Sequence, residues 1–192
     1  MLGLVLVQGH LKKKKMDLLA RLAAYHPTAE EVVTKERMMA FIQQYPDCFE
    51  RTLEIGHITA SAWLISPDSA SVLLTHHAKL NAWLQLGGHC DGDLDVLRTA
   101  LREAREESGI EAIEPVREDI FDIDIHSIPV YGAIKEHLHY DVRFLLQVKS
   151  QEPFVVSHES KKLAWFPKRL GALPTQERSI LRMHEKWCCS VC

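Results

Sequence analysis

Glu103, Glu106 and Glu107 stand at i, i+3 and i+4, the spacing that gathers side chains on one stripe of an α-helix. Three like charges so placed repel by roughly a few tenths of a kcal/mol per pair. The stripe therefore needs solvent and counter-charges, or a cation. Hard oxygen ligands suit Mg2+ or Mn2+, which keep several waters and bridge to phosphate oxygens. Arg98, Arg102 and Arg105 lie on the intermediate arc, so a solvated face laced with ion pairs is the plain alternative for an isolated helix of this kind.

The surroundings of the stripe favour the cation. Gly87-Gly88 precedes the helix, the polar loop His89-Cys90-Asp91-Gly92-Asp93 comes next, and Arg102-Glu103-Ala104-Arg105-Glu106-Glu107-Ser108-Gly109-Ile110 closes the segment. In this the chain resembles the Nudix hydrolases, whose box is a Gly, five residues, a Glu, seven residues, then Arg-Glu-aliphatic-x-Glu-Glu-x-Gly-aliphatic. Counted from Gly88, Arg102, Glu103, Glu106, Glu107, Gly109 and Ile110 fall in place, with Ala104 at the first aliphatic position. The position of the first Glu holds Leu94, flanked by Asp93 and Asp95. In the family that Glu chiefly steadies the loop and helix, so altered bracing is expected, with Asp95 available as a helix cap.

The resemblance implies an α/β/α sandwich and metal-dependent hydrolysis of a nucleoside diphosphate linked to another moiety, with water attacking a phosphorus. Glu106 and Glu107 would be metal ligands, Glu103 a ligand or the water-activating base, the Gly88 carbonyl a further ligand, and Arg102 would orient the carboxylates. Family members also use one later acid, for which Glu136, Asp141 and Glu159 are candidates. Two other readings stay open. One is a catalytically weak or inactive Nudix-fold module that binds a nucleotide or a protein, motivated by Leu94 and the helical preface. The other, an isoprenoid diphosphate isomerase, lacks its Cys immediately before the Gly-Gly step. Homodimers are common in the superfamily, and the sequence does not show whether this chain forms one.

Beyond the box, His137, His139 and Asp141 alternate, so on a strand they share one face. That face suits metal binding, contact with a base or phosphate, or simple solvation. Asp122, Asp124 and His126 form a similar stripe, for which solvation is expected. His89, beside Gly88, is expected to line the site more closely than His76-His77. Cys90 lacks an identified base that would make it a nucleophile. Trp63, Trp83 and Trp165 are expected to pack the core.

The elements that must position these residues read as a mixed α/β layered fold of the α+β class. Leu18, Leu22 and Ala23 recur at helical spacing before His26-Pro27, and Thr28-Ala29-Glu30-Glu31 has capping-box form ahead of a second helix that stops at Tyr45-Pro46. Strands are expected at 58–65 and 71–75, joined by the turn Ser66-Pro67-Asp68-Ser69, and at 120–125, 138–148, 154–156 and 163–166. The clearest helix is 95–108, closed by Gly109, and a last helix spans 176–187. The organisation expected is an extension over 1–15, a Nudix domain over 51–192, and between them a helical preface over 16–50 packed on that domain.

The chain has 192 residues and a formal net charge of -3. Binding of a nucleic-acid duplex by bulk charge is therefore not expected, and phosphate chemistry must come from a local site. No run reaches the roughly 18 apolar residues of a membrane span. Five cysteines, three of them among the last five residues, make no disulfide or zinc framework, and a reducing cytoplasm fits them. The ending Cys189-Ser190-Val191-Cys192 only outlines a prenylation box. Lys12 to Lys15 come after an apolar start, the reverse of a signal peptide. Their purine-rich codons would resemble a ribosome-binding site ahead of Met16, so Met16 is the expected natural start. Starting there moves the net charge from -3 to -7, since residues 1–15 hold four Lys and no acid.

Overall fold

A computed structural model describes residues 15–78, 80–130, 132, 134–155 and 160–189. Residues 1–14 of the extension expected over 1–15, Glu159 and the final three residues lie outside them, while Lys15 begins the first helix. The described residues form four helices and eight strands: α1 (15–24), α2 (Val32–Gln44), β1 (Gly56–Ile65), β2 (Ser71–His77), β3 (Trp83–Leu84), β4 (Leu86–His89), α3 (Val96–Ser108), β5 (Ile113–Pro115), β6 (Asp122–Ile128), β7 (His137–Val148), β8 (Ser160–Pro167) and α4 (Arg178–Cys189). Phe154 and Val155 are not in a strand, contrary to the sequence expectation.

β1 organises the sheet. It runs parallel to β7 along its whole length, from Gly56 opposite Leu138 to Ile65 opposite Gln147. On its other edge it changes partner. Thr59 to Ala62 pair antiparallel with β4, whereas Leu64 and Ile65 pair with β2 across the expected hairpin. β7 likewise takes β6 along its first half and β5 at its end, and β2 carries β3 and β8.

Strand alternation sends consecutive side chains into two layers. Ile58, Ala60, Ala62 and Leu64 of β1, with Val142, Phe144 and Leu146 of β7, pack in one core with Leu18, Leu22, Met38, Phe41 and Ile42 of α1 and α2 and Leu97, Ala100 and Ala104 of α3. The preface thus shares its core with the sheet. On the opposite face Trp63, Ile65 and Leu145 meet Ile180, Met183 and Trp187 of α4. This apolar layer uses only the later part of β1. The earlier residues on that face are His57, Thr59 and Ser61, all buried. No described helix is long and apolar enough to cross a membrane.

Candidate active site

α3 is fixed at both ends by local chemistry. Asp95 caps it, its carboxylate accepting from the Arg98 N–H at 3.2 Å. Gly109 ends it with φ +69, and its N–H reaches the Arg105 carbonyl at 2.8 Å, a left-handed turn that favours glycine. The loop ahead of the helix is braced by Asp93, which accepts from the Asp95 N–H at 2.9 Å and from the Arg98 guanidinium at 2.7 and 2.5 Å. Arg51, just ahead of β1, pairs with Asp91. Leu94 is partly buried against the main core and lines a small cavity of about 80 Å³ with Asp17, Leu18 and Arg21 of α1. An apolar residue there suits a loop that lies against a helix.

The three carboxylates do not share one environment. Glu103 and Glu107 turn onto β4: the Glu107 carboxylate accepts from the Gly87 N–H at 2.8 Å, and Glu103 lies where a side chain at Gly88 would be, 2.6 Å from a Cβ built there. Glycine at 88 is thus what lets the carboxylate approach the strand. The Glu103 side chain is 15% exposed and that of Glu106 60%. Arg102 bonds Glu103 at 2.8 Å, Glu106 at 3.1 Å and the His89 carbonyl at 2.9 Å, holding loop and carboxylates together. The other two arginines act elsewhere, Arg98 on Asp93 and Arg105 on the carbonyls of Glu111 and Ile113. An evenly solvated, arginine-laced stripe is therefore not what forms.

Alternation places His89 on the face of β4 away from Glu103. There its ring lies 5.0 Å, centroid to centroid, from those of His57 and His139, and His57 is 4.9 Å from His139 and 5.0 Å from His137. The His137 and His139 stripe thus joins two imidazoles from other strands. Burial, then the neighbouring His89 and His137, push His57 down to about 4, and burial with His89 and His126 holds His139 at about 2. Both rings are neutral at pH 7.

Asp141, expected to offer its carboxylate to a ligand, instead spends it inside the protein. It is buried and accepts from Thr59 at 2.9 Å, Ser61 at 2.8 Å, Gln85 at 3.1 Å and Arg143 at 2.7 Å. Glu136 is exposed and accepts from the Ser127 hydroxyl at 2.7 Å. The solvated stripe expected at Asp122 and Asp124 is likewise corrected. Asp122 is fully buried and holds Arg143 at 3.1 Å, Arg182 at 2.8 Å and Lys186 at 2.7 Å, because cations on β7 and α4 take the place of water. Trp63 is buried, Trp83 and Trp165 are partly buried against the cores, and His76 stacks edge-on against Trp83 at 5.1 Å. Burial pushes the Cys90 thiol well above its ordinary range, which leaves it inert.

Sequence reasoning missed His57 and Arg143, whereas the capping box it read at Thr28 and Glu31 forms. His57, Thr59 and Ser61 do show a polar alternation in an otherwise apolar strand, and that was the signal that could have found the first of them.

A profile of the NUDIX domain matches residues 56–183. The chain belongs to the Nudix family. That family is one of hydrolases, and the chain is assigned to that class with it. No curated protein sequence matches it significantly. Among solved structures, a NUDIX-family hydrolase from Clostridium perfringens is similar at 26% identity and a TM-score of 0.50, over 68% of this chain and 95% of that one. A C. elegans Ap4A hydrolase in a binary complex gives 18% identity and a TM-score of 0.51 over 68% and 93%. A UDP-X diphosphatase gives 13% identity and a TM-score of 0.50, but over 93% of this chain and 92% of its own. The first two likenesses span about the length of the Nudix match, whereas the last extends beyond it.

Proposed function

We propose that this Nudix protein hydrolyses a nucleoside diphosphate linked to another moiety, using Mg2+ or Mn2+, with water attacking a phosphorus. The observation that carries this reading is the convergence of Glu103 and Glu107 on Gly87-Gly88. Gly88 leaves room for the Glu103 carboxylate against β4, the Gly87 N–H donates to Glu107, and these carboxylates are hard oxygens of the kind these ions take. Glu106, Glu107, Glu103 and the Gly88 carbonyl are the residues that would hold the ion. When bound, it neutralises diphosphate charge and lowers the pKa of a bound water.

The chain's own residues do the rest. Where it serves as the base and not as a ligand, Glu103, the less exposed of the two carboxylates bonded to Arg102, would take the proton from the attacking water, and Arg102 would keep it from swinging away from β4. Glu106 faces solvent, where a substrate enters. His89, His137 and His139 lie across β4 from these carboxylates and take no part in this reading. Glu136 is the described candidate for the extra acid that keeps an exposed carboxylate. The names of the similar Ap4A hydrolase and UDP-X diphosphatase support phosphoanhydride cleavage as the reaction class. Residues 51–192 would form the hydrolase domain and 16–50 a packing element of it. The buried cysteines, unpaired in the structure, suit a cytoplasmic setting.

The test is a panel of ADP-ribose, NTPs, dinucleoside polyphosphates, coenzyme A and nucleotide sugars with Mg2+ and Mn2+, with products identified and Glu107→Gln run in parallel. Hydrolysis of one class that disappears in the variant is expected. Nucleotide-dependent thermal stabilisation without any hydrolysis would instead favour a binding module.

A further inference from the structure

The imidazoles on the far side of β4 form a donor set unlike that on α3. One ring nitrogen from each of His57, His137 and His139 lies within 4.8 Å of the others. Neutral imidazole is a borderline-soft ligand that suits zinc and its neighbours in the transition series far better than magnesium. Ligands about 2.0–2.1 Å from a tetrahedral zinc lie roughly 3.3 Å apart, so small ring rotations close the set on an ion.

Two further observations point to a ligand there. His57 is 3% exposed, yet neither of its ring nitrogens makes a well-formed hydrogen bond, the Leu53 backbone offering only a loose contact, and Nε2 of His139 is buried without a partner. Buried polar atoms left so are destabilising, a cost that coordination would remove. His137 is held from behind: its Nδ1 bonds the Lys135 carbonyl at 2.9 Å, which makes Nδ1 the protonated nitrogen and leaves the Nε2 lone pair free. A carbonyl behind a ring in this way is the usual outer support of a metal-binding histidine.

We propose that His57, His137 and His139 form a three-imidazole site for one divalent transition metal ion of the zinc class, separate from the carboxylate set on α3. β4 divides the two sites, with Glu103 against Gly88 on one side and the His89 ring among the imidazoles on the other. The site does not depend on the hydrolytic reading, because nothing in it uses the carboxylates.

The test uses the untagged full chain, stripped with a chelator and titrated with Co2+ and then Zn2+ in millimolar Mg2+. One equivalent of Co2+ is expected, with visible d–d bands of a nitrogen site, no thiolate charge-transfer band, and displacement by Zn2+. His137→Ala and His139→Gln are expected to weaken binding by roughly 100-fold or more, and Glu106→Gln/Glu107→Gln to leave it unchanged. If His139→Gln fails to fold, His137→Ala, at a partly exposed ring at the start of β7, decides alone, with its melting curve as the control. Failure to bind one equivalent, binding that survives the histidine variants, loss in the glutamate variant, or a thiolate band that vanishes with Cys189→Ser would overturn the proposal.

Discussion

Glu106 and Glu107 are neighbours in sequence but differ in what holds them, and their variants should differ accordingly. Glu107 accepts from the Gly87 N–H, which a neutral amide oxygen can still do. Glu107→Gln is therefore expected to keep the melting temperature within a degree or two while lowering kcat by on the order of 10²–10³-fold. Gly88→Ala makes the complementary case. The three atoms nearest its Cβ all belong to the carboxylate end of Glu103 and not to backbone, so the fold should survive while the carboxylate is displaced. A loss of kcat of about 100-fold with native circular dichroism is the expected outcome. At position 94, restoring the family's Glu should not help. Asp93 and Asp95 already brace the loop through Arg98, and Leu94 is packed. Leu94→Glu is expected to cost about 1 kcal/mol in a urea melt with kcat unchanged.

Whether an element could be read in advance depended on where its determinants lie. α3 was legible to within one residue because Asp95, the apolar positions and Gly109 all act within the segment, and the spacing of the box is equally local. The turn between β1 and β2 was legible for the same reason. The histidine cluster was only half legible. His137 and His139 share a face by simple alternation, but His57 joins them through the parallel register of β1 on β7, which no local pattern specifies. Asp122 was misread because alternation marks a polar residue as solvated, while its partners Arg143 and Arg182 come from β7 and α4. Leu94 was readable as a departure from the box, but the α1 helix it faces could not be inferred from the box itself.

At the scale of the whole molecule, a buried ionic network ties the layers together. Arg143, itself buried, serves Asp122, Asp124 and Asp141 at 3.1, 3.3 and 2.7 Å. Arg143→Met leaves these carboxylates short of a cation and is expected to cost about 3–5 kcal/mol, read as a lowered denaturant midpoint. Glu31 contributes to the pH dependence of the network, as does Asp124, which is also held below its ordinary value. Burial pushes the Glu31 carboxyl up, but hydrogen bonds from Lys186, Tyr25 and Thr28 outweigh burial and hold it at about 2, against an ordinary 4.5. The unfolded chain thus takes up this proton first. The stabilisation, on the order of 3 kcal/mol, is full above about pH 4.5 and is lost as pH falls toward 2. Glu31→Gln is expected to lower stability at neutral pH and to flatten the acid limb of the stability curve between those values.

The partners of Glu31 also set an order of events during synthesis. Its carboxylate is fully buried and bonded to Lys186 at 2.6 Å, and Lys186 lies on α4, which comes after every strand of the sheet in the sequence. On the ribosome the preface therefore emerges with an acid it cannot bury until residue 186 has left the exit tunnel. Until then the preface can pack on the sheet only with that acid lacking its lysine. Nascent chains stalled before α4 should accordingly be protease-sensitive in the preface, and the released chain should be resistant.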